Sequence, residues 1–222
     1  MQILLIRHGE STGNREGRLQ GQAEFDLSEV GRQQVHQLAQ RFVSEGWVPS
    51  QVYCSPLRRA VQTAEILVDE AFARGNREID IAYRDELKEI NNGIFAGLTW
   101  GEAQQRYPEL CQRLEGSLEL MPIPGAESLG AVRDRAQQFL QSLLQDAGDG
   151  DRISIISHGG FLQHLIAELM GCERSWGMVI PPTALFEFCL ARSQWNVADQ
   201  PLNTALWRIE RFNDCQHLQN KS

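Results

Sequence analysis

Two short apolar runs in this chain each end in a histidine followed by glycine, and that repetition limits the fold more than any other feature. Ile3 to Ile6 are four consecutive apolar residues leading into Arg7-His8-Gly9-Glu10, and Arg152-Ile153-Ser154-Ile155-Ile156 leads into Ser157-His158-Gly159-Gly160. A continuous apolar run of this length reads as a strand covered on both faces, as in a parallel sheet. In open α/β sheets ligands bind beyond the carboxyl ends of the strands. Each run therefore delivers an imidazole to the place where chemistry is expected, and the two rings could face one another over the sheet.

The rest of the chain supplies helices to cover such a sheet. Glu10 to Gly21 is polar and glycine-rich, a loop over the sheet end. Ser28 then serves as N-cap to a helix with Glu29 in its first turn and Val30, Val35, Leu38, Ala39 and Phe42 as its apolar face, stopped by Gly46. A second strand, Gln51 to Cys54, leads into Ser55-Pro56, read as serine N-cap and proline at the first helical position of a helix running to about Ala73. A third strand is expected at Ile79 to Tyr83. Thr99-x-x-Glu102 fits a capping box, whereas Glu109 to Glu127 shows little periodicity and reads as a loop or lid. Ser128 to Leu144 is a helix with a stripe of Val132, Ala136, Phe139, Leu140 and Leu143. A last helix covers Phe161 to Met170, and further strands are expected at Ala184 to Leu190 and Ala205 to Phe212. Strands interleaved with helices over 222 residues give one domain, residues 1–222, a three-layer α/β/α sandwich on a mostly parallel sheet with a lid-like insertion at about 93–129.

The formal net charge of −8 argues against a partner that needs a broad basic face, so neither nucleic acid nor a membrane surface is expected. It does not argue against phosphate, because charge effects fade over about 8 Å at physiological salt and a few local cations outweigh distant carboxylates. Cys54, Cys111, Cys172, Cys189 and Cys215 show no Cys-x-x-Cys spacing, which suggests reduced thiols rather than a disulfide framework or zinc site. Without a signal-peptide pattern or an apolar run near 18 residues, a soluble cytoplasmic protein is expected. His158 and His164 have no acidic residue at ligand spacing, so no metal and no cofactor is expected. His36 reads as a solvated surface histidine and His164 as structural. Arg7 and Arg58, with the two imidazoles, put four potentially cationic groups near helix N-termini, a site suited to a tetrahedral dianion. Arg15, Arg18, Arg59, Arg84 and Lys88 read as mostly solvated.

The chain resembles the histidine phosphatase superfamily, also called phosphoglycerate mutase-like. The matching pieces are Arg7-His8-Gly9-Glu10-Ser11-x-x-Asn14, Leu27-Ser28-x-x-Gly31, Ser55-Pro56-Leu57-Arg58-Arg59-Ala60-x-Gln62-Thr63-Ala64 and Leu87-x-Glu89 with Gly93 and Gly97. They continue with Gly125-x-Glu127-Ser128, Ser157-His158-Gly159 and Asn213-Asp214-x-x-His217-Leu218, in family order over nearly the whole chain. The resemblance implies that His8 attacks phosphorus to give a phosphohistidine that water hydrolyses, and that Arg7, Arg58 and His158 clamp the phosphoryl oxygens. Asn14 would add a hydrogen bond, Glu89 would protonate the leaving alkoxide with Glu86 as its rival, and Gln20, Gly21 and Gly159 would line the substrate side.

The same resemblance separates branches. Cofactor-dependent mutases carry a longer insertion with an adjacent arginine pair; Trp100 to Leu129 offers only Arg106 and Arg113, apart in sequence. A metal-independent phosphomonoester hydrolase acting on small organic phosphates, phosphoserine or a sugar phosphate, is therefore expected. A phosphoglycerate mutase is the alternative, and a phospho-ligand-binding regulator without turnover is the second. Leu114, Leu118, Leu120, Met121, Pro122 and Ile123, with Phe95 and Trp100, are expected to wall the substrate pocket. Gly93-Ile94-Phe95-Ala96-Gly97 departs from the Trp-Glu pair common before the second glycine, which puts substrate preference in doubt. An apolar C-terminal strand leaves a homodimer open.

Overall fold

Strand β1 (Gln2–Arg7) lies inside a six-stranded sheet of order β3-β2-β4-β1-β5-β6, with β2 (Gln51–Cys54), β3 (Ile81–Tyr83), β4 (Arg152–Ser157), β5 (Leu185–Leu190) and β6 (Trp207–Asp214). The computed structural model describes residues 1–73, 78–116, 121–174, 176–197 and 203–219. Strands β3, β2, β4 and β1 run parallel; β5 is antiparallel to β1, and β6 to β5.

The apolar runs are buried on both faces, which is why they do not alternate with polar residues. Ile3, Leu5, Ile153 and Ile155 pack under α6 (Leu129–Asp146) and α7 (Gly159–Leu169). Leu4, Ile6, Val52 and Ile156 pack under α2 (Glu29–Glu45) and α3 (Arg58–Leu67). Helix, sheet and helix are the three layers expected.

Register places the chemistry. Strands β1 and β4 pair residue for residue from Gln2↔Arg152 to Arg7↔Ser157, so the next residue of each strand is a histidine. The His8 N–H donates to the Ser157 carbonyl at 3.0 Å, which ties the two turns together. Glycine is required where the first turn meets α2, since a Cβ on Gly31 would lie 1.9 Å from the Glu10 carbonyl oxygen.

Ser28 caps α2 as expected, its Oγ accepting from Gly31 N–H, but Val30 is half exposed rather than part of the buried face. The capping box at Thr99 and Glu102 opens a short helix, α4 (Trp100–Arg106), and a first short helix, α1 (Thr12–Arg15), interrupts the expected loop after β1. The helix after β2 begins at Arg58, with Leu57 as N-cap, so Ser55-Pro56 does not open it; it ends at Leu67 and passes into a π-helical turn, Val68–Phe72. Part of the expected loop from Glu109 is helical, α5 (Pro108–Gly116). Its apolar residues Leu110, Cys111 and Leu114 are too few to show a period in sequence. They gain a partner in a small separate core with Phe95, Leu98, Ala103 and Ile123.

The described residues between 93 and 126 thus form a folded excursion closed at its base. Asn92 bridges Ala126, Ile94 N–H donates to Pro124 O (3.0 Å), and Glu127 N–H donates to Asn91 O (2.9 Å). Its apolar side chains mainly fill its own core. Phe95 is only 2% exposed, against the expectation that it lines a pocket, and Trp100 lies at the surface with its indole N–H on Glu115. Leu118 and Leu120 fall outside the described residues.

Candidate active site

His8 leaves β1 buried at 2% exposure, and its Nδ1 lies 2.6 Å from the Gly9 carbonyl oxygen. A carbonyl only accepts, so Nδ1 carries the proton and Nε2 keeps its lone pair. The ring of His158 stands 5.0 Å away, centroid to centroid. That is close enough for both rings to touch one phosphoryl group. Burial, then the charges of Arg59 and Arg7, hold His8 well below the ordinary imidazole value, outweighing the Gly9 hydrogen bond. A ring kept neutral is a ring able to attack.

Arg7 donates through Nη1 to the Ile180 carbonyl, and Gly159 packs beside its guanidinium. The arginine that α3 buries is Arg59, not Arg58. Arg59 is 1% exposed, with Nη1 on Ala23 O and Nη2 on Gly21 O, both at 2.8 Å, and burial pulls it down to about 10. It remains a cation at neutral pH. Arg58 points outward, its side chain 62% exposed and paired with Asp26 at 2.9 Å. The expectation is corrected by helix geometry. Arg59 shares the buried face of α3 with Ala60, Thr63, Ala64 and Leu67, whereas Arg58, about 100° round the helix, falls outside it. The i, i+4 relation of Arg59 to Thr63, and of Thr63 to Leu67, was the signal available in the sequence.

Arg7 Nε, Arg59 Nε and His158 Nδ1 are buried without a hydrogen-bond partner among the described residues. Buried polar atoms are rarely left unpaired. These three atoms belong to residues that border His8: the His158 ring stands beside it, and the charges of Arg59 and Arg7 act on it, in a protein of net charge −8.

Glu89 joins them from the turn after β3. Its Oε1 accepts from Ile90 N–H and Phe161 N–H, both at 2.9 Å, and its Oε2 from Gly160 N–H at 3.0 Å. The carboxylate thus sits on the positive end of α7, one turn from His158. Glycine at 160 makes room for this contact, since a Cβ there would lie 2.5 Å from Glu89 Oε1 and would displace the carboxylate. Glu86 contributes a backbone carbonyl to Arg135. Arg135 also holds the Lys88 carbonyl and, through Nε and Nη2, the carboxylate of Glu127. Glu127 accepts from Asn91 N–H in turn, so the turn bearing Glu89 is braced on both sides.

The remaining expected residues lie at graded distance from this group. Asn14 Oδ1 is spent on Ser11 N–H in the capping box of α1, leaving its NH2 available. Gly21 reaches the cluster through its carbonyl on Arg59, and the Gln22 amide donates to Glu89 O. The Gln20 side chain packs beneath α1 against Gly13 and accepts from Ser11 Oγ (2.7 Å), a bracing position. Of the arginines read as solvated, Arg18 bridges Glu16 and Glu102, and Arg84 donates to Ser142 Oγ. His36 pairs with Glu70 at the surface, while His164 is 6% exposed inside α7. Among the described residues no three His, Cys, Asp or Glu side chains gather as metal ligands, and no helix is long and apolar enough to cross a membrane.

These burials make stability depend on pH. His8 and His158 are both held well below 6.5 in the folded protein, and burial brings His217 to about 4. Below about pH 6.5 the unfolded chain takes up protons that the folded one refuses, so stability present above that pH is lost as the pH falls, by up to about 1.4 kcal/mol per pH unit for each imidazole. The urea midpoint should drop between about pH 7.5 and 5.5, and drop less in His8→Asn/His158→Asn. An equal drop in both proteins would show that the imidazoles charge without unfolding.

A neutral imidazole with a bare Nε2 beside two guanidinium groups is chemically able to accept a phosphoryl group on nitrogen, as in the class of phosphoryl-transfer enzymes that work through phosphohistidine. Within that class the chain belongs to the histidine phosphatase superfamily (branch 1), whose sequence profile matches residues 3–201, and it is an enzyme of the phosphatase type. It is 36% identical over 218 residues to a metal-independent phosphoserine phosphatase of Arabidopsis thaliana, a match spanning 98% of this chain and 83% of that protein. It is 33% identical over 165 residues to phosphoglycerate mutase-like protein 4 of the same plant, spanning 74% of this chain and 69% of that one. Among solved structures, Bacillus stearothermophilus YhfR superposes with a TM-score of 0.78 at 25% identity, over 98% of this chain and 99% of that one.

Proposed function

We propose that the protein hydrolyses phosphomonoesters of small hydroxylated metabolites, with phosphoserine the first candidate, and that Arg59 replaces Arg58 in the phosphate clamp. His8 Nε2 attacks phosphorus in line, the P–N bond forms and the ester P–O bond breaks. Glu89 gives a proton to the departing alkoxide. In the second half the Glu89 carboxylate takes a proton from water as that water attacks phosphorus, releasing inorganic phosphate and restoring His8. Arg7, Arg59 and His158 hold the equatorial oxygens, with the Asn14 amide adding a donor. Donors of this kind are each worth about 10²–10³ in rate.

The observation that carries this reading is the His8 ring, its Nδ1 spent on Gly9 O and its Nε2 bare, standing 5.0 Å from His158 with the charges of Arg59 and Arg7 acting on it. Phosphoserine comes from the name of the Arabidopsis relative. The folded excursion at 93–126 covers the substrate side as a lid. The five free cysteines suit a reducing cytoplasm, and a second copy is the partner favoured by the exposed Ile209 and Phe212 of edge strand β6; no nucleic-acid partner is expected. A metabolite screen with and without added bisphosphoglycerate tests the reading. Phosphoserine or a sugar phosphate should release inorganic phosphate regardless of the additive. Isomerisation of phosphoglycerate without phosphate release would favour the mutase alternative, and binding without turnover the regulator.

A further inference from the structure

Ser55, which does not open α3, has its hydroxyl placed elsewhere. The residue is fully buried, its Oγ accepts the Leu57 N–H at 3.3 Å, and the same Oγ lies 2.7 Å from Nε2 of His158. The serine is held there by the sheet. Cys54 pairs with Ile156 across β2 and β4, and Ser55 N–H donates to the Ile156 carbonyl at 3.0 Å. His158 is also fully buried, and its Nδ1 has no hydrogen-bond partner among the described residues.

A neutral imidazole carries its proton on one nitrogen, and the partner of the other nitrogen decides which. The Ser55 hydroxyl is already an acceptor for Leu57 N–H, so its own proton is free to go to the ring. We propose that Ser55 is a positioning residue for His158: its hydroxyl donates to Nε2, which keeps the proton on Nδ1 and presents that N–H to the phosphoryl oxygens. The opposite tautomer would offer those oxygens a lone pair. His8 and His158 then share one tautomer and use it in opposite ways. His8 spends its Nδ1–H on Gly9 O to leave a bare nucleophilic Nε2, while His158 spends its bare Nε2 on Ser55 to leave a donating Nδ1–H. The proposal rests on His158 serving as a phosphate donor.

The test uses full-length protein labelled with 15N in histidine, free of substrate. Ring-nitrogen chemical shifts separate a protonated nitrogen from a bare one, and His158→Gln identifies the resonances. The wild type should show Nδ1 protonated and Nε2 bare. Ser55→Ala should show Nε2 protonation appearing, with kcat on a chromogenic phosphomonoester reduced on the order of 10²-fold. A wild-type His158 protonated at Nε2, or a Ser55→Ala enzyme with unchanged tautomer and kcat, would overturn the proposal. The spectrum is read without turnover. An inactive wild type with the expected tautomer would therefore sink the phosphatase reading and leave the tautomer assignment standing.

Discussion

His8→Ala should reduce kcat on any phosphomonoester by roughly 10⁴–10⁶, the scale seen when a covalent nucleophile is removed from a preorganised site. Phosphate monoesters are among the slowest bonds to hydrolyse unaided. Passing the phosphoryl group through nitrogen splits that barrier, and His8 is the residue whose Nε2 is left bare by a hydrogen bond from Nδ1 to Gly9 O. Wild-type enzyme quenched during turnover should carry acid-labile phosphate on His8 by mass spectrometry, and the alanine variant should carry none. His158→Ala should retain the covalent species while forming it more slowly, because it removes a donor and not the acceptor of the phosphoryl group. Phosphate found on His158 in the wild type would exchange the two roles.

The large-scale plan was legible because it follows from patterns that burial imposes. A strand covered on both faces is largely apolar, so Ile3–Ile6, and Ile153–Ile156 with Ser154 as its one polar residue, announced a parallel sheet, and residue-for-residue pairing of β1 with β4 did the rest. Helices α2 and α6 were visible from caps and stripes. What stayed hidden depends on contacts between distant segments. Helix α5 has too few apolar residues to show a period, and its stability comes from packing on Phe95 and Ala103. Ser55-Pro56 carries the letters of a helix start, yet the pairing of β2 with β4 commits the serine to His158. Propensity rules could not foresee a partner 103 residues away.

The adjacent arginines of α3 give the sharpest test of that limit. Arg59→Lys should cut kcat by about 10²–10³, and Arg58→Ala should leave it nearly unchanged. Lysine keeps the charge but replaces a planar fork with a single ammonium. Arg59 uses that fork to hold Gly21 O and Ala23 O while Nε stays free in the cluster. An ammonium has three donors but presents them from a single nitrogen, so it cannot span the two carbonyls and the cluster as the separate nitrogens of the guanidinium do. A buried carbonyl left unpaired costs about 1–3 kcal/mol, so Arg59→Lys should also lower the melting temperature. Among the described residues the Arg58 side chain has only an exposed pair with Asp26 to lose, worth at most about 1 kcal/mol. Measuring kcat and KM separately adds direction. A clamp acting on charge that develops in the transition state lowers kcat, whereas one that only holds substrate raises KM. Loss of activity in Arg58→Ala with Arg59→Lys intact would return the clamp to the exposed arginine. That outcome would require α3 to turn by about 100° to bring Arg58 inward, at the cost of burying it without Gly21 and Ala23 to receive it.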